Sequence, residues 1–216
     1  MAEFTLVIGN KNYSSWSLRA WLWMKHLGID FDEIIVYLNK ADTDQKLGRY
    51  FSANKVPVLI HKDFEVWDSL AICDYLAELY PDRGLLEGRK ARATMRAFCA
   101  EMHSSFVNLR GELPMNCRRL RSPVILSDDC LADITRIQKL WKHAANFSDG
   151  KGDYLFGSFS IADAMFAPVV FRLDRYKVPL EDHSSRYLEL MLQHPAMIEW
   201  YEAAKLEGEI IESEER

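Results

Sequence analysis

Four cysteines, at positions 73, 99, 117 and 130, are all that this chain has, and none stands in a C-x-x-C pair. Neither a zinc knuckle nor a redox dithiol is therefore expected. The six histidines are scattered, with no H-E-x-x-H or other close ligand pair, so no metal site is expected either. No apolar run approaches the roughly 20 residues of a membrane span. The start Met1-Ala2-Glu3-Phe4 lacks the basic region and apolar core of a signal peptide, and cytoplasmic residence is the expectation. Arg118, Arg119 and Arg121 form the one dense basic cluster, no basic stripe interleaves with aromatics, and the net charge is −5. A nucleic-acid partner is not expected. Internal repeats and low-complexity segments are missing as well.

What is present has the balance of a globular protein: 49% apolar and 27% charged residues over 216 positions, enough for one domain or two small ones. The first 80 residues alternate in character. Phe4–Ile8 reads as a buried strand, and Leu18, Trp21, Leu22 and Leu27 recur at helical spacing until Gly28 stops them. Residues 31–36 read as a second strand, and 38–55 as a polar loop with room for one short helix. Residues 58–60 and 64–67 read as strands joined by a turn at His61-Lys62-Asp63. Leu70, Cys73, Leu76, Ala77 and Tyr80 then mark a helix that Pro81 closes. Beyond a polar link, residues 90–120, 128–147, 160–174 and 184–205 carry helical periodicity without a convincing strand. Ser160-Ile161-Ala162-Asp163 opens one of these helices in the manner of a capping box. The expected architecture is a small α/β domain at 1–82 followed by an all-α domain at 89–216, with a ligand cleft between them. The acidic stretch 207–215 reads as a solvated end.

Three segments carry chemistry. In Asn12-Tyr13-Ser14-Ser15-Trp16-Ser17-Leu18-Arg19 a strand turns into a helix at two serines. The free N–H groups of a helix start favour an anion, and a serine hydroxyl there either caps the helix or donates to a thiolate. In Lys55-Val56-Pro57-Val58 a proline begins a strand after a polar loop, which suits a cis peptide or an ordinary trans one. In Trp67-Asp68-Ser69-Leu70 an acid and a serine open the next helix. Together they either cap it or hold an ammonium and a carboxylate, the α-amino-acid end of a ligand.

In this order the three segments resemble the soluble glutathione transferases over nearly the whole chain. The resemblance implies a thioredoxin-like N-terminal domain followed by an all-helical C-terminal domain. Ser14-Ser15-Trp16-Ser17-Leu18-Arg19 looks most like the zeta-class pattern S-S-C-S-x-R, with Trp16 where that pattern has cysteine. Carried over by position, Ser14 matches the serine that hydrogen-bonds the glutathione sulfur, with Ser15 beside it and Ser17 read as the helix cap. Val56 matches the residue whose backbone pairs with the cysteinyl part, with Pro57 in cis. Asp68 and Ser69 match the pair that holds the γ-glutamyl end, and Lys55 a position near the glycyl end or the backbone of glutathione.

The resemblance implies glutathione as cosubstrate, no metal, a small electrophile as second substrate and a homodimer. A thiol of pKa about 8.5 needs roughly 2.7 kcal/mol of preference for its anion to drop two units. One hydrogen bond to a charged group (about 1.5–3 kcal/mol) plus a helix start (about 0.3–1 kcal/mol) supplies that. Tyr13 and Trp16 flank Ser14 and either line the electrophile pocket or pack. Arg118 and Arg119 either face the cleft or are solvated surface charge. Met102, Phe106, Leu109, Leu113 and Met115 form a stripe along the first long helices and read as core. Arg175 aligns with an arginine that zeta-class isomerases use toward a substrate carboxylate. The expected function is thus a conjugating transferase. A zeta-like cis–trans isomerase and a non-catalytic glutathione-binding module are the alternatives.

Overall fold

The computed structural model describes residues 2–50 and 54–215, so the part of the 38–55 loop at positions 51–53 lies outside the described residues. Strand β1 (Phe4–Ile8) runs into helix α1 (Ser15–His26), then strand β2 (Phe31–Ile35) and the short helix α2 (Thr43–Leu47). Strands β3 (Val58–His61) and β4 (Phe64–Val66) lead into α3 (Ser69–Leu79) and α4 (Pro81–Gly84). The sheet order is β2-β1-β3-β4. β1 pairs parallel with β2, Phe4 opposite Phe31 and Ile8 opposite Ile35, and antiparallel with β3, Val7 opposite Val58. A parallel pair needs a crossover, and α1 is that crossover. Phe4, Leu6 and Ile8 join the main core, whereas Val7 packs with Val36, Leu47 and Val58 on the other face.

α1 stops where its sequence says it should. Gly28 adopts φ +64°, its N–H bonds to Lys25 O, and the N–H of Ile29 bonds to Met24 O at 3.1 Å. Those two bonds and the left-handed glycine make a Schellman stop. Pro81 ends α3 and also begins α4 from its first position, where its missing N–H costs nothing.

The second half is helical: α5 (Arg89–Ser104), α6 (Val107–Glu112), α7 (Asp128–Ala144), α8 (Ile161–Arg175), α9 (Asp182–Leu192) and α10 (Pro195–Leu206). α8 is buried from Ile161 to Asp174 and packs on α1, α5 and α9. Its start carries the expected capping box, with Ser160 and Asp163 bonded reciprocally.

Three expectations are corrected. The stretch 90–120 is not one helical segment: Phe106 turns left-handed at φ 63°, which separates α5 from α6, and residues 113–120 are irregular. Phe106, Leu113 and Met115 are core nonetheless, each under 5% exposed. The stretch 184–205 is two helices, because Pro195 cannot continue α9 and instead opens α10. The acidic end folds back on the β1–α1 loop. Glu207 accepts the N–H groups of Lys11 (2.7 Å) and Asn12 (2.9 Å), and Glu209 pairs with Lys40. Backbone donors and the Lys40 side chain give these carboxylates partners that a solvated end lacks.

The junction of the two halves holds one titratable group with a clear pH signature. His26, at the end of α1, stacks on Phe159 at 4.3 Å, and burial, with His194 adding, lowers its pKa from 6.5 to about 4. Its contribution to stability is therefore complete above about pH 6.5 and is lost as pH falls through about 4. We expect His26→Phe to gain about 2 kcal/mol on the wild type between pH 7 and pH 4, after discounting for solvent at the ring edge. Urea melts of both proteins across that range check it, and a constant difference would refute it.

Candidate functional site

A cleft of about 490 Å³ opens between the head of α1, the 54–57 segment, the start of α3 and α5. Its walls include Trp16, Leu38, Lys55, Val56, Pro57 and Asp68, together with Asn54, Trp67, Ser69 and His103. The Val56–Pro57 peptide bond is cis, and so is Trp67–Asp68. Lys55 is exposed at the rim and Pro57 is buried at the start of β3.

At α3 the acid and the serine divide their work. Asp68 Oδ1 accepts from the N–H of Leu70 at 2.8 Å and of Ala71 at 3.5 Å, so it caps the helix. Its Oδ2 lies 3.2 Å from His103 Nε2 of α5, which ties the two halves of the chain across the cleft. Ser69 is 1% exposed, and its hydroxyl has no hydrogen-bond partner among the described residues.

At α1 the cap is Ser14, not Ser17. Ser14 Oγ accepts the Ser17 N–H at 3.4 Å and lies 2.7 Å from Ser17 Oγ, which in turn accepts the Gly9 N–H at 3.0 Å. Ser17 is one turn too far along to cap, and its hydroxyl is drawn down to the end of β1 instead. Ser14 and Ser15 are 5% and 6% exposed at the helix head and are not among the residues that line the cleft, although their neighbour Trp16 is.

The β1–α1 loop is held by the second half. Asn12 Nδ2 donates to Asn116 Oδ1 at 2.9 Å, Asn12 Oδ1 accepts the Arg118 N–H at 2.9 Å, and Trp200 Nε1 donates to Lys11 O at 2.8 Å. All four cysteines are buried and free, and burial pushes each thiol upward, Cys117 to about 12. None is a thiolate at neutral pH, and none lines the cleft.

Against this geometry, residues 13–79 match the family model described as glutathione S-transferase, N-terminal domain, and residues 127–203 match that of the C-terminal domain. The chain belongs to the glutathione S-transferase family. A glutathione transferase homolog from Burkholderia gl BGR1, solved with bound glutathione, shares 25% identity over 94% of this chain and 98% of its own, at TM-score 0.69. A glutathione S-transferase from the Antarctic clam Laternula elliptica (20% identity, 92% of each chain, TM-score 0.68) shares the fold. So does a Sulfitobacter glutathione transferase homolog with bound glutathione (19% identity, 95% and 100% of the two chains, TM-score 0.66). No curated protein matches the sequence.

Within this glutathione S-transferase fold, four residues weighed for the second substrate stand elsewhere. Tyr13 is 7% exposed and outside the cleft lining; its hydroxyl donates to Glu215 and accepts from Arg118 Nη2 at 2.7 Å. Burial and that carboxylate raise its pKa, so it is a poor activator of a thiol. Arg118 is spent on the chain end, donating to the carbonyls of Glu207 and Glu209. Arg119 likewise donates to the carbonyls of Leu120, Ser122 and Arg175. Arg175 pairs with Asp174 at 3.0 Å and lies over the Tyr201 ring, away from the cleft lining. Each of the three guanidiniums is thus claimed by a carboxylate or carbonyl outside the cleft: chain-end carbonyls for Arg118, and chiefly near neighbours in sequence for Arg119 and Arg175.

Two residues, His103 of the cleft lining and Arg19 packed on Trp16, were given no role by the sequence reading. His103 has no local signal, because only the packing of α5 brings it to Asp68. Arg19 had one: a charge between Leu18 and Trp21 on an apolar helix face is out of place unless something uses it.

Proposed function

We propose that the protein is a glutathione transferase in which Ser14 holds the glutathione sulfur as a thiolate for attack on a small electrophile. In this reading residues 1–82 bind glutathione and 89–216 complete the electrophile site. The observation that carries it is the buried, partnerless Ser69 hydroxyl beside the Asp68 carboxylate, in one cleft with the cis Val56–Pro57 peptide. A buried hydroxyl without an acceptor or donor is costly, and a γ-glutamyl carboxylate supplies its partner. Asp68 takes the γ-glutamyl ammonium on the carboxylate it shares with His103, Val56 pairs with the cysteinyl backbone, and Lys55 meets the glycyl end.

The thiol sits at the head of α1. Gly9 N–H donates to Ser17 and the two hydroxyls lie 2.7 Å apart; in this reading Ser17 is the donor, so Ser14 keeps its own proton to give to sulfur, with Ser15 alongside. With the helix start behind it, this one hydrogen bond supplies the roughly 2.7 kcal/mol that a two-unit drop requires. Trp16 lines the electrophile side. Catalysis is then charge stabilisation and positioning. The run Ser14 to Arg19 supports a zeta-like serine mechanism, but nothing in the cleft favours the isomerase, whose carboxylate anchor Arg175 is paired elsewhere. Cytoplasmic residence and a homodimer accompany the family resemblance.

The test is calorimetric binding of glutathione, joined to a conjugation assay with an activated aryl halide. Ser69→Ala is expected to weaken glutathione binding about tenfold and leave the melting temperature unchanged, since the hydroxyl it removes has no hydrogen-bond partner among the described residues. Binding without any rate enhancement would move the reading to a glutathione-holding module. No binding at all would refute it.

A further inference from the structure

The serine mechanism makes no use of the most unusual charge near the cleft. Arg19 of α1 is 0% exposed, and its Nε and both Nη atoms have no hydrogen-bond partner among the described residues. Its side chain runs back toward the helix start, as helical side chains do, and lays the guanidinium 4.3 Å from the centre of the Trp16 ring one turn earlier. Trp16 is itself held from two other sides, by Arg110 of α6 at 5.2 Å and edge-on by His103 of α5 at 5.1 Å.

The charged groups that face Arg19 do not balance it. Arg110 and Arg172 (from α8) repel it; from α3, Asp68 attracts it, and the buried Cys73 thiol is the remaining titratable neighbour. The Asp68 carboxylate is already divided between the α3 cap and His103. Arg110 faces Asp133 and donates to the carbonyls of Met102 and Ser105, and Arg172 faces Glu214 and donates to the carbonyl of Leu113, so of the three guanidiniums Arg19 is the one left without a hydrogen-bond partner among the described residues. Burial, followed by the two arginines, lowers Arg19 to about 9, which leaves it charged at neutral pH. An unpaired buried charge is a standing cost that an anion brought nearby relieves.

We propose that Arg19, kept from water by the Trp16 indole, is a positioning charge that favours the thiolate over the thiol of glutathione held at the head of α1. The inference rests on the transferase reading above. It gives Trp16 a purpose at the position where the zeta-class pattern has cysteine: the indole is a water-excluding plate, so the charge behind it acts unscreened. Arg19 forms no covalent bond. The thiol proton leaves to solvent, and the guanidinium stabilises the charge left on sulfur together with Ser14.

Thiolate absorbance of bound glutathione across pH tests this in Arg19→Met, which keeps the length and loses the charge. Replacing an unpaired buried charge by an apolar side chain of similar size is compatible with folding. The thiol pKa is expected to rise by about one unit, the scale of one nearby, partly screened charge, while the affinity for S-methylglutathione stays unchanged. An unmoved thiol pKa overturns the inference, and so does an equal loss of S-methylglutathione binding, which marks a merely structural role. If Arg19→Met does not fold, Trp16→Leu decides. Admitting water to Arg19 is then expected to raise the thiol pKa by at least about half a unit, and no rise overturns the inference. A wild-type protein that fails to bind S-methylglutathione refutes the transferase reading instead, so the two failures are distinct.

Discussion

Ser14→Ala is expected to raise the pKa of bound glutathione by about one to two units and to lower kcat/KM at neutral pH by about 10- to 100-fold, with recovery in alkali. The magnitude follows from what the hydroxyl does. A hydrogen bond to a thiolate is worth about 1.5–3 kcal/mol, and each unit of pKa is about 1.4 kcal/mol. The helix start survives the change and keeps its smaller share, about 0.3–1 kcal/mol, so the thiol does not return fully to its free value. The backbone cap is weak to begin with, since the Ser17 N–H reaches Ser14 Oγ only at 3.4 Å, and stability should fall by about 1 kcal/mol at most. Ser17→Ala removes the 2.7 Å partner that orients Ser14 and is expected to move the thiol in the same direction by less. A pH–rate profile of both variants beside the wild type measures this. A Ser14→Ala profile superimposed on the wild type would transfer the role to Ser15 or to another donor.

The largest stability effect belongs to Asp163, far from sulfur. Its carboxylate is 0% exposed and accepts from Leu155 N–H (3.1 Å), Ser160 N–H (2.8 Å), Ser160 Oγ (2.9 Å) and Tyr187 Oη (3.1 Å). Asp163→Ala orphans these donors at the head of α8, the helix around which the second half packs. Each buried unsatisfied donor costs about 1–3 kcal/mol, and losing the buried charge returns part of that. The expected loss is about 4 kcal/mol, or roughly 10 °C in Tm for a chain of this size. Asp163→Asn keeps the volume but turns an amide group toward donors, and is expected to fall between the two.

pH separates the charge from the contacts. Burial raises Asp163 from 3.8 to about 6, so its titration contributes stability that is complete below about pH 3.8 and lost as pH rises through about 6. The gap between wild type and Asp163→Asn should therefore widen by up to about 3 kcal/mol between pH 7 and pH 4. This is opposite in sign to the His26 effect over the same range, which is why both are read as differences from the wild type. A gap that narrows toward pH 4 would show that the carboxylate is stabilised, not penalised, by its site.

Much of this was legible because it is local. The Gly28 stop, the Pro81 break, the Ser160–Asp163 box and the Asp68 cap each act over a few residues. A one-dimensional reading sees all the atoms involved. The same reading failed at the helix head, where Ser14 and Ser17 compete for one cap. The choice depended on Gly9 N–H at the end of β1 claiming Ser17. It also merged α5 with α6 and α9 with α10, because apolar periodicity runs through a left-handed Phe106 and past Pro195 without registering the turn.

The sequence by itself determined the order of strands and helices, the three segments that meet in the cleft, and the family that their order resembles. Short-range forces account for that: hydrophobic periodicity, proline and glycine geometry, and the free N–H groups of helix starts. Only the tertiary structure decided which charges serve the cleft. Arg118 is claimed by the chain end, Asn12 finds Asn116 104 positions away, and His103 reaches Asp68 across the two halves. An arginine's partner is set by whichever carboxylate or carbonyl packing brings within reach, and that depends on segments far apart in the chain. Arg19 is the sharpest case: its place in α1 is plain from the sequence, but its lack of a hydrogen-bond acceptor among the described residues exists only once α3, α6 and α8 have closed around it.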